Sequence, residues 1–184
     1  MMTEIRISGY GGQGVIRCGY IIGKAASLYD NKYATMTQSF GPEARGSACS
    51  SQVLVSEDKI LYPYVTLPQI LVAMSQEAYS KFIPNLDQNG TLIIDDDLVT
   101  PEEVKGNVKT YAIPSTRFAE EMGAKIVANI VMLGFFTAVT GLVSPEAMRK
   151  AVSTSVPERL VDLNLKGFDK GFSFGREVKE GSKQ

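Results

Sequence analysis

The sequence of 184 residues contains no histidine. Histidine is the commonest general acid or base in enzymes and a frequent metal ligand, so its absence removes both roles at once. The sequence also offers no residue that we would nominate as a catalytic nucleophile. We therefore expect no catalytic residue in this chain and no set of metal ligands.

Cysteine is almost as scarce, with Cys18 and Cys49 the only two in the sequence. An ordinary iron–sulfur cluster needs four protein ligands, so two thiols cannot hold one. Cys18 falls on the apolar side of a predicted helix, and Cys49 falls in a predicted strand. We expect both thiols to be buried, reduced and structural.

Charge of either sign is also unremarkable, with 19 Lys and Arg residues against 20 Asp and Glu residues. No basic patch is present, so nucleic acid is not expected as a partner.

The most apolar stretch, residues 126–143, is interrupted by Asn129 and two threonines. This pattern predicts a buried helix and no membrane association. No secretory signal pattern is present, and the composition predicts a cytoplasmic protein.

Apolar runs of strand length alternate with helical patterns along the chain. This alternation predicts an α/β protein, a three-layer α/β/α sandwich with a mixed, mostly parallel sheet. The predicted strands are centred on residues 5–7, 33–36, 47–56, 69–74, 91–94 and 108–113. The second and third are joined by a connection too short for a crossover helix, so they are expected to be antiparallel. We expect one domain over residues 1–170 and a polar tail over residues 171–184.

Three consecutive carboxylates, Asp95, Asp96 and Asp97, follow the fifth predicted strand. Successive side chains on an extended segment point to alternate faces, so these three are not expected to converge. The pattern favours a solvated strand end over a metal site.

Residues 9–14 read GYGGQG, between the first predicted strand and an amphipathic helix over residues 12–29. Glycine at Gly9, Gly11 and Gly14 matches the dinucleotide-binding spacing G-x-G-x-x-G. Such a loop can bring backbone N–H groups at a helix N-terminus close to an anionic group. A loop that serves only as a tight turn can show the same glycine spacing.

A dinucleotide fold also places an acidic residue after the second strand, where it binds the ribose hydroxyls. Here Thr37 and Gln38 occupy that region, and Asp30 precedes the strand. The missing acid disfavours a stand-alone nucleotide-binding or dehydrogenase domain. The remaining interpretations are a turn used for packing and a site for an anion of a ligand or partner subunit.

A second segment, residues 38–46, reads QSFGPEARG. Pro42 restricts the backbone, and Gly41 and Gly46 permit unusual dihedrals, which predicts an ordered loop. Arg45 could present its guanidinium to a carboxylate or phosphate through two parallel hydrogen bonds. Glu43 and Arg45 could equally belong to a solvated turn.

Together these two segments identify the chain as resembling the gamma subunits of 2-oxoacid:ferredoxin oxidoreductases. That family carries paired signatures of the forms GxGGQG and QS[YF]GPEARG. Further matches are SEDKI followed by YPYV at residues 56–65, and NIVMLG at residues 129–134. The resemblance extends to about residue 160, with Phe40 where the family commonly has tyrosine. The length is most similar to the separate gamma subunit of the 2-oxoglutarate enzymes.

The resemblance implies a role in oxidative decarboxylation of a 2-oxoacid with coenzyme A, which yields acyl-CoA and CO₂ and reduces ferredoxin. It implies alpha- and beta-type partner subunits and allows a ferredoxin-like delta subunit, with the thiamine diphosphate and iron–sulfur clusters on these partners. This chain alone is expected to bind neither cofactor. Its role would be to close the site region and help to receive coenzyme A, or to be purely structural.

Two groups of residues are therefore the candidates for contact with coenzyme A or with a partner subunit. The glycine loop supplies Gly9, Gly11, Gly12, Gln13 and Gly14, and the second segment supplies Gln38, Ser39, Gly41, Pro42, Glu43, Arg45 and Gly46.

Overall fold

The computed structural model describes residues 2–39, 48–104 and 106–181, which form one six-stranded sheet flanked by helices. The strands are β1 Met2–Tyr10, β2 Tyr33–Ser39, β3 Ala48–Ser56, β4 Ile70–Ala73, β5 Thr91–Asp95 and β6 Lys109–Ile113. Their order across the sheet is β2-β3-β1-β4-β5-β6. β1, β4, β5 and β6 are parallel, and β3 is antiparallel to both of its neighbours, β1 and β2. The predicted mixed, mostly parallel sheet is confirmed.

The helices are α1 Val15–Lys24, α2 Gln76–Phe82, α3 Ser115–Glu121, α4 Ala128–Thr140, α5 Pro145–Ser153 and α6 Val161–Gly181. A π-helical turn, Ala25–Tyr29, extends α1, and short 3₁₀ turns cover Ile83–Asn85, Lys125–Val127 and Glu158–Leu160. Ser75 caps α2 and Ser144 caps α5 by accepting hydrogen bonds from backbone N–H groups, as their sequence positions predict. Within the described residues, no helix has both the length and the apolarity needed to cross a membrane.

The two faces of the sheet carry unequal cores, because alternate residues of each strand point to opposite sides. Ile5 and Ile7 of β1 belong to the larger core, which packs against α1, α3, α4, α5 and α6. Leu71 and Ala73 of β4 belong to the smaller core, which packs against Tyr79 of α2. The strands therefore lie between two helical layers, as expected for a three-layer α/β/α protein.

α6 continues well past residue 170, so the expected polar tail is wrong for residues 171–181. Gly171 lies directly against the backbone of Val131 in α4, where an added Cβ would collide with the Val131 carbonyl oxygen. Phe174 packs edge-on to Phe118 at 5.3 Å between ring centroids. The polar composition concealed a helix whose glycines permit close packing against α4.

α4 is the buried helix predicted over residues 126–143, and it is apolar on nearly all sides. Such a helix needs cover in every direction. The sheet covers one side, and α6 covers another through the close approach of Gly134 to the backbone of Phe168. The chain thus supplies much of the cover for α4 by itself.

Candidate functional site

The glycine loop connects the end of β1 to the start of α1 at the carboxyl edge of the sheet. Gly12 and Gly14 have φ angles of 100° and 77°, in the left-handed region that glycine adopts readily. Gly14 is the N-cap of α1 and carries no side chain to accept hydrogen bonds from the first turn. Because the first N–H groups of a helix have no partner within it, this end of α1 can accept an external anion.

Gln13 holds the loop in place with both groups of its side-chain amide. Its Oε1 accepts a hydrogen bond of 2.7 Å from the backbone N–H of Tyr10. Its Nε2 donates one of 2.7 Å to the carbonyl oxygen of Met74, just beyond β4. Gln13 therefore joins the ends of two neighbouring strands, which gives it a positioning role that the sequence motif did not reveal.

The glycines of the loop differ in what an added side chain would meet. A Cβ at Gly9 would collide with the side chain of Gln13, and one at Gly14 would collide with the amide of Asn129. A Cβ at Gly11 would meet nothing within 4 Å. The φ angle of Gly11 is not positive either, so the backbone conformation does not require glycine there. Nothing in the described chain requires glycine at Gly11, and its surface is open to an approaching group.

A cleft of about 200 Å³ lies beside the loop. It is lined by residues that follow β1, β4, β5 and β6 and by the start of α4, namely Gly12, Gln13, Met74, Leu98, Thr116, Lys125, Ile126, Ala128 and Asn129. In open α/β sheets, ligands bind outside the carboxyl ends of the strands where the direction of chain progression changes. That change occurs here beside β1, which separates β4 from the β3–β2 pair.

Asn129 lines this cleft and is only 5% exposed. Its Oδ1 has no hydrogen-bond partner among the described residues. A buried polar atom normally has a partner, so this amide is available to a bound group. In the sequence, Asn129 interrupts an apolar stretch and begins the NIVMLG segment, and a polar residue at such a position was the available signal of a site.

Positive charge accompanies the start of α1. Arg17 is exposed in the first turn of the helix, which contains no acidic residue. Acidic side chains normally compensate the positive end of the helix dipole, and none does so in the first turn of α1. An external anion could take that role. Lys125, on the cleft wall, pairs with Glu120 at 2.8 Å, and this hydrogen bond raises the pKa of Lys125.

The second segment is described only at its start. Gln38 and Ser39 are exposed at the end of β2, and Gly41, Pro42, Glu43, Arg45 and Gly46 lie outside the described residues. Ala48, where β3 begins, is paired with Tyr10 at the end of β1. The second segment therefore joins the sheet at the same carboxyl edge of β1 that carries the glycine loop.

The three aspartates after β5 do converge, contrary to the sequence expectation. Oxygen atoms of Asp95, Asp96 and Asp97 lie within 4.8 Å of one another, because the chain turns after Asp95. Asp95 is buried and accepts hydrogen bonds from Ser115 and from the backbone N–H of Thr116. These bonds fasten the start of α3 to the sheet, and Ser115 is the first residue of that helix.

The outer two aspartates lie close to a basic side chain. The Arg117 guanidinium donates to Asp97 at 2.8 Å, and its distance to Asp96 is 3.8 Å. Partial burial and the charge of Asp97 raise the pKa of Asp96 above its ordinary value. The cluster therefore acts as an electrostatic attachment for α3.

Both cysteines are free and buried, as predicted. Cys18 is 1% exposed and donates a hydrogen bond from its Sγ to the carbonyl oxygen of Asn129 at 3.6 Å. Burial raises the pKa of the Cys18 thiol to about 12. A thiol that remains protonated in this way is a poor nucleophile and a poor metal ligand.

Comparison with known proteins agrees with the resemblance seen in the sequence. Residues 4–174 match the pyruvate ferredoxin/flavodoxin oxidoreductase family. The chain is 48% identical over 180 residues to the 2-oxoglutarate synthase subunit KorC of Methanocaldococcus jannaschii, which covers 97% of this chain and 96% of the relative.

Two solved structures share this fold. One is the gamma subunit of a keto/oxoacid ferredoxin oxidoreductase from Geobacter sulfurreducens, with a TM-score of 0.84, 45% identity and coverage of 94% of this chain and 98% of that one. The other is a 2-oxoglutarate:ferredoxin oxidoreductase from Magnetococcus marinus with 2-oxoglutarate, coenzyme A and succinyl-CoA bound. Its TM-score is 0.87 at 25% identity, and the match covers 96% of this chain but 31% of that one. The chain belongs to the pyruvate ferredoxin/flavodoxin oxidoreductase family.

Proposed function

We propose that this chain is the gamma-type subunit of a 2-oxoacid:ferredoxin oxidoreductase whose oxoacid is 2-oxoglutarate. The assembled enzyme would convert the oxoacid and coenzyme A to acyl-CoA and CO₂ and transfer two electrons to ferredoxin. Support comes from relatives named as 2-oxoglutarate synthase subunits that match along nearly their whole length. Free, reduced thiols at both cysteines suit the reducing environment of the cytoplasm.

The chemistry of decarboxylation and electron transfer would belong to the partner subunits. Two buried thiols do not fit an iron–sulfur cluster, and the sequence has no histidine to act as a general base. The partners proposed are alpha- and beta-type subunits that hold thiamine diphosphate and the clusters. The isolated chain should accordingly be colourless and inactive with 2-oxoglutarate.

The glycine loop would receive an anionic part of coenzyme A, such as one of its phosphates. The observation that carries this proposal is the uncapped N-terminus of α1 beside Gly11, a glycine whose open surface serves no purpose within the described chain. The N–H groups of the first helical turn and the exposed Arg17 provide donors and positive charge. Gln13 keeps the loop in the required shape before the ligand arrives.

The fold argues against the alternative of a stand-alone dinucleotide-binding domain. In that fold the strand after the first helix lies parallel to the first strand and beside it, which brings its acidic residue to the ribose. Here β3 separates β2 from β1. The end of β2 also carries Gln38 and Ser39 in place of an acid.

The test is a Gly11→Ala variant in the complex reconstituted with its partner subunits. The added Cβ would occupy the open surface at Gly11 and hold the anionic group away from the N–H groups. Because a charge-assisted hydrogen bond is worth roughly 1.5–3 kcal/mol, we expect the KM for coenzyme A to rise by about 10-fold or more. The KM for 2-oxoglutarate and the melting temperature of the lone chain should stay close to wild type.

Gly23→Ala is the matched control, since a Cβ at Gly23 also meets nothing within 4 Å but lies near the far end of α1. It should leave the KM for coenzyme A unchanged. An unchanged KM in Gly11→Ala would mean that the loop is only a turn, and the purely structural reading of this subunit would replace the proposal.

A further inference from the structure

An irregular segment between β3 and β4 exposes a group of large apolar side chains. Residues 61–67, called here the Tyr62–Tyr64 loop, include Leu61 at 87%, Tyr62 at 60%, Tyr64 at 56% and Leu67 at 48% exposure. Residues 60–70 contain no charged side chain, whereas Glu57, Asp58 and Lys59 precede them. An uncharged aromatic centre with charged residues at its border is typical of protein interfaces.

The loop is held firmly by a buried carboxylate. Glu4 of β1 is only 7% exposed. It accepts hydrogen bonds from the backbone N–H groups of Thr66 at 2.6 Å and Leu67 at 2.8 Å, and from the Thr66 hydroxyl at 3.2 Å. Burying a charge is costly unless it is hydrogen-bonded, so this carboxylate fixes the conformation of the loop.

Further contacts order the loop from within. The side chain of Gln69 accepts from the backbone N–H of Glu4 at 2.6 Å and donates to the carbonyl oxygen of Leu67 at 3.2 Å. The rings of Tyr62 and Tyr64 lie edge to face with centroids 5.4 Å apart. A loop ordered before binding loses less conformational entropy when a partner covers it.

The exposed area is large enough for the centre of an interface. A tyrosine can bury on the order of 150–250 Å², so the exposed fractions of 60% and 56% leave roughly 90–150 Å² on each ring. The two leucines raise the total to several hundred Å², the size of a functional patch on a monomer. Stable interfaces cover about 800 Å² per partner. The exposed Met2 and Tyr33 extend the apolar surface, because both pair with Ser56, the last residue of β3 before the segment that contains the loop.

We propose that the Tyr62–Tyr64 loop docks into an uncharged, apolar pocket on another subunit of the same oxidoreductase. In the Magnetococcus relative, the matching domain is part of a chain about three times as long. The relatives that match along nearly their whole length are named as subunits of 2-oxoglutarate synthase, so in those enzymes a surface contact takes the place of the covalent connection. The proposal rests on membership of a multi-subunit enzyme and not on the coenzyme A site, which lies at the opposite end of β1.

The test is co-purification and titration of the tagged chain with its alpha- and beta-type subunits. Two independent variants, Leu61→Asp and the pair Tyr62→Ser with Tyr64→Ser, should weaken assembly by about 30-fold or more, as loss of an interface hot spot does. The melting temperature of the lone chain should change little, because these side chains are exposed. Complexes that still form should retain the wild-type KM for coenzyme A, which separates this result from a failure at the glycine loop.

Tyr20→Ser is the matched control, because Tyr20 is 53% exposed and lies on α1, on the other face of the sheet. It should assemble normally. Wild-type affinity in the loop variants would overturn the proposal, and so would an equal loss of affinity in Tyr20→Ser. Self-association of the lone chain that disappears in the loop variants would also overturn it, since the loop would then bind a second copy.

Discussion

Gly14→Ala and Gly11→Ala form a matched pair that tests the geometry of the glycine loop. At Gly14, alanine must adopt a φ of 77°, which costs about 1–2 kcal/mol. Its Cβ must also displace the buried amide of Asn129, and overpacking of this kind costs typically 1–3 kcal/mol. The free energy of unfolding should therefore fall by about 2–5 kcal/mol in Gly14→Ala.

Gly11→Ala should behave in the opposite way. The added Cβ meets nothing and needs no left-handed backbone. Replacing glycine where the conformation permits it restricts the unfolded chain and stabilises by about 0.4–1 kcal/mol. The lone Gly11→Ala chain should therefore be as stable as wild type or slightly more stable.

The assay is urea and thermal unfolding of the lone chain, followed by circular dichroism. For a protein of this size, 1 kcal/mol corresponds to roughly 2–4 °C. Gly14→Ala should melt roughly 4–20 °C below wild type, while Gly11→Ala stays within a few degrees. Equal melting temperatures for the two variants would refute the loop geometry described here.

Three further predictions concern other parts of the chain. Because the folded-state pKa of Cys18 is raised from 9.0 to about 12, the unfolded chain loses that proton first as pH rises. The free energy of unfolding should fall by up to about 4 kcal/mol between those pH values, and Cys18→Ala should show a shallower fall in pH-dependent urea unfolding. Removing residues 171–184 deletes the Phe174 contacts and the close packing of Gly171. This truncation should lower the free energy of unfolding by more than about 5 kcal/mol. A truncated chain that melts like wild type would refute the packing of α6 against the rest of the protein. Arg45→Ala should weaken the affinity for partner subunits or for coenzyme A by about 10- to 100-fold without changing the melting temperature of the lone chain. Arg45→Lys should restore little of that affinity. A lower melting temperature with normal activity would mean that Arg45 is a structural ion-pair residue.

The parts of the fold that follow from local pattern were predictable. A continuous apolar run identifies β4 as a buried strand, and Ser75 marks the start of α2. The connection between β2 and β3 leaves no room for a crossover helix, which fixes their antiparallel pairing. These inferences need only the chain itself and the lengths of its connections.

The predictions that proved wrong concern segments whose structure is decided by tertiary contacts. α6 has a polar average composition, and its helical state depends on Gly171 and Gly175 packing against α4. The three aspartates converge because the chain turns after Asp95, and a rule for extended strands does not apply to a turn. In each case, the information lies in a neighbour that is distant in sequence.

The sequence predicted where the candidate site lies in the chain but not which contacts its individual residues make. The glycine spacing located the N-terminus of α1 correctly. It could not show that Gln13 binds the carbonyl of Met74, because that partner lies beyond β4. Nor could it show that Asn129 lines the same cleft, since α4 is far from the loop in sequence.

Under the proposed function, the start of α1 receives an anionic part of coenzyme A in the assembled enzyme. The most direct measurement is hydrogen–deuterium exchange of the complex with and without coenzyme A, read on peptides that contain residues 9–18. The N–H groups of the first helical turn have no helical partners and should exchange quickly without ligand. Coenzyme A should slow their exchange in the wild type and much less in Gly11→Ala. Unchanged exchange over residues 9–18 at saturating coenzyme A would mean that the glycine loop does not bind coenzyme A.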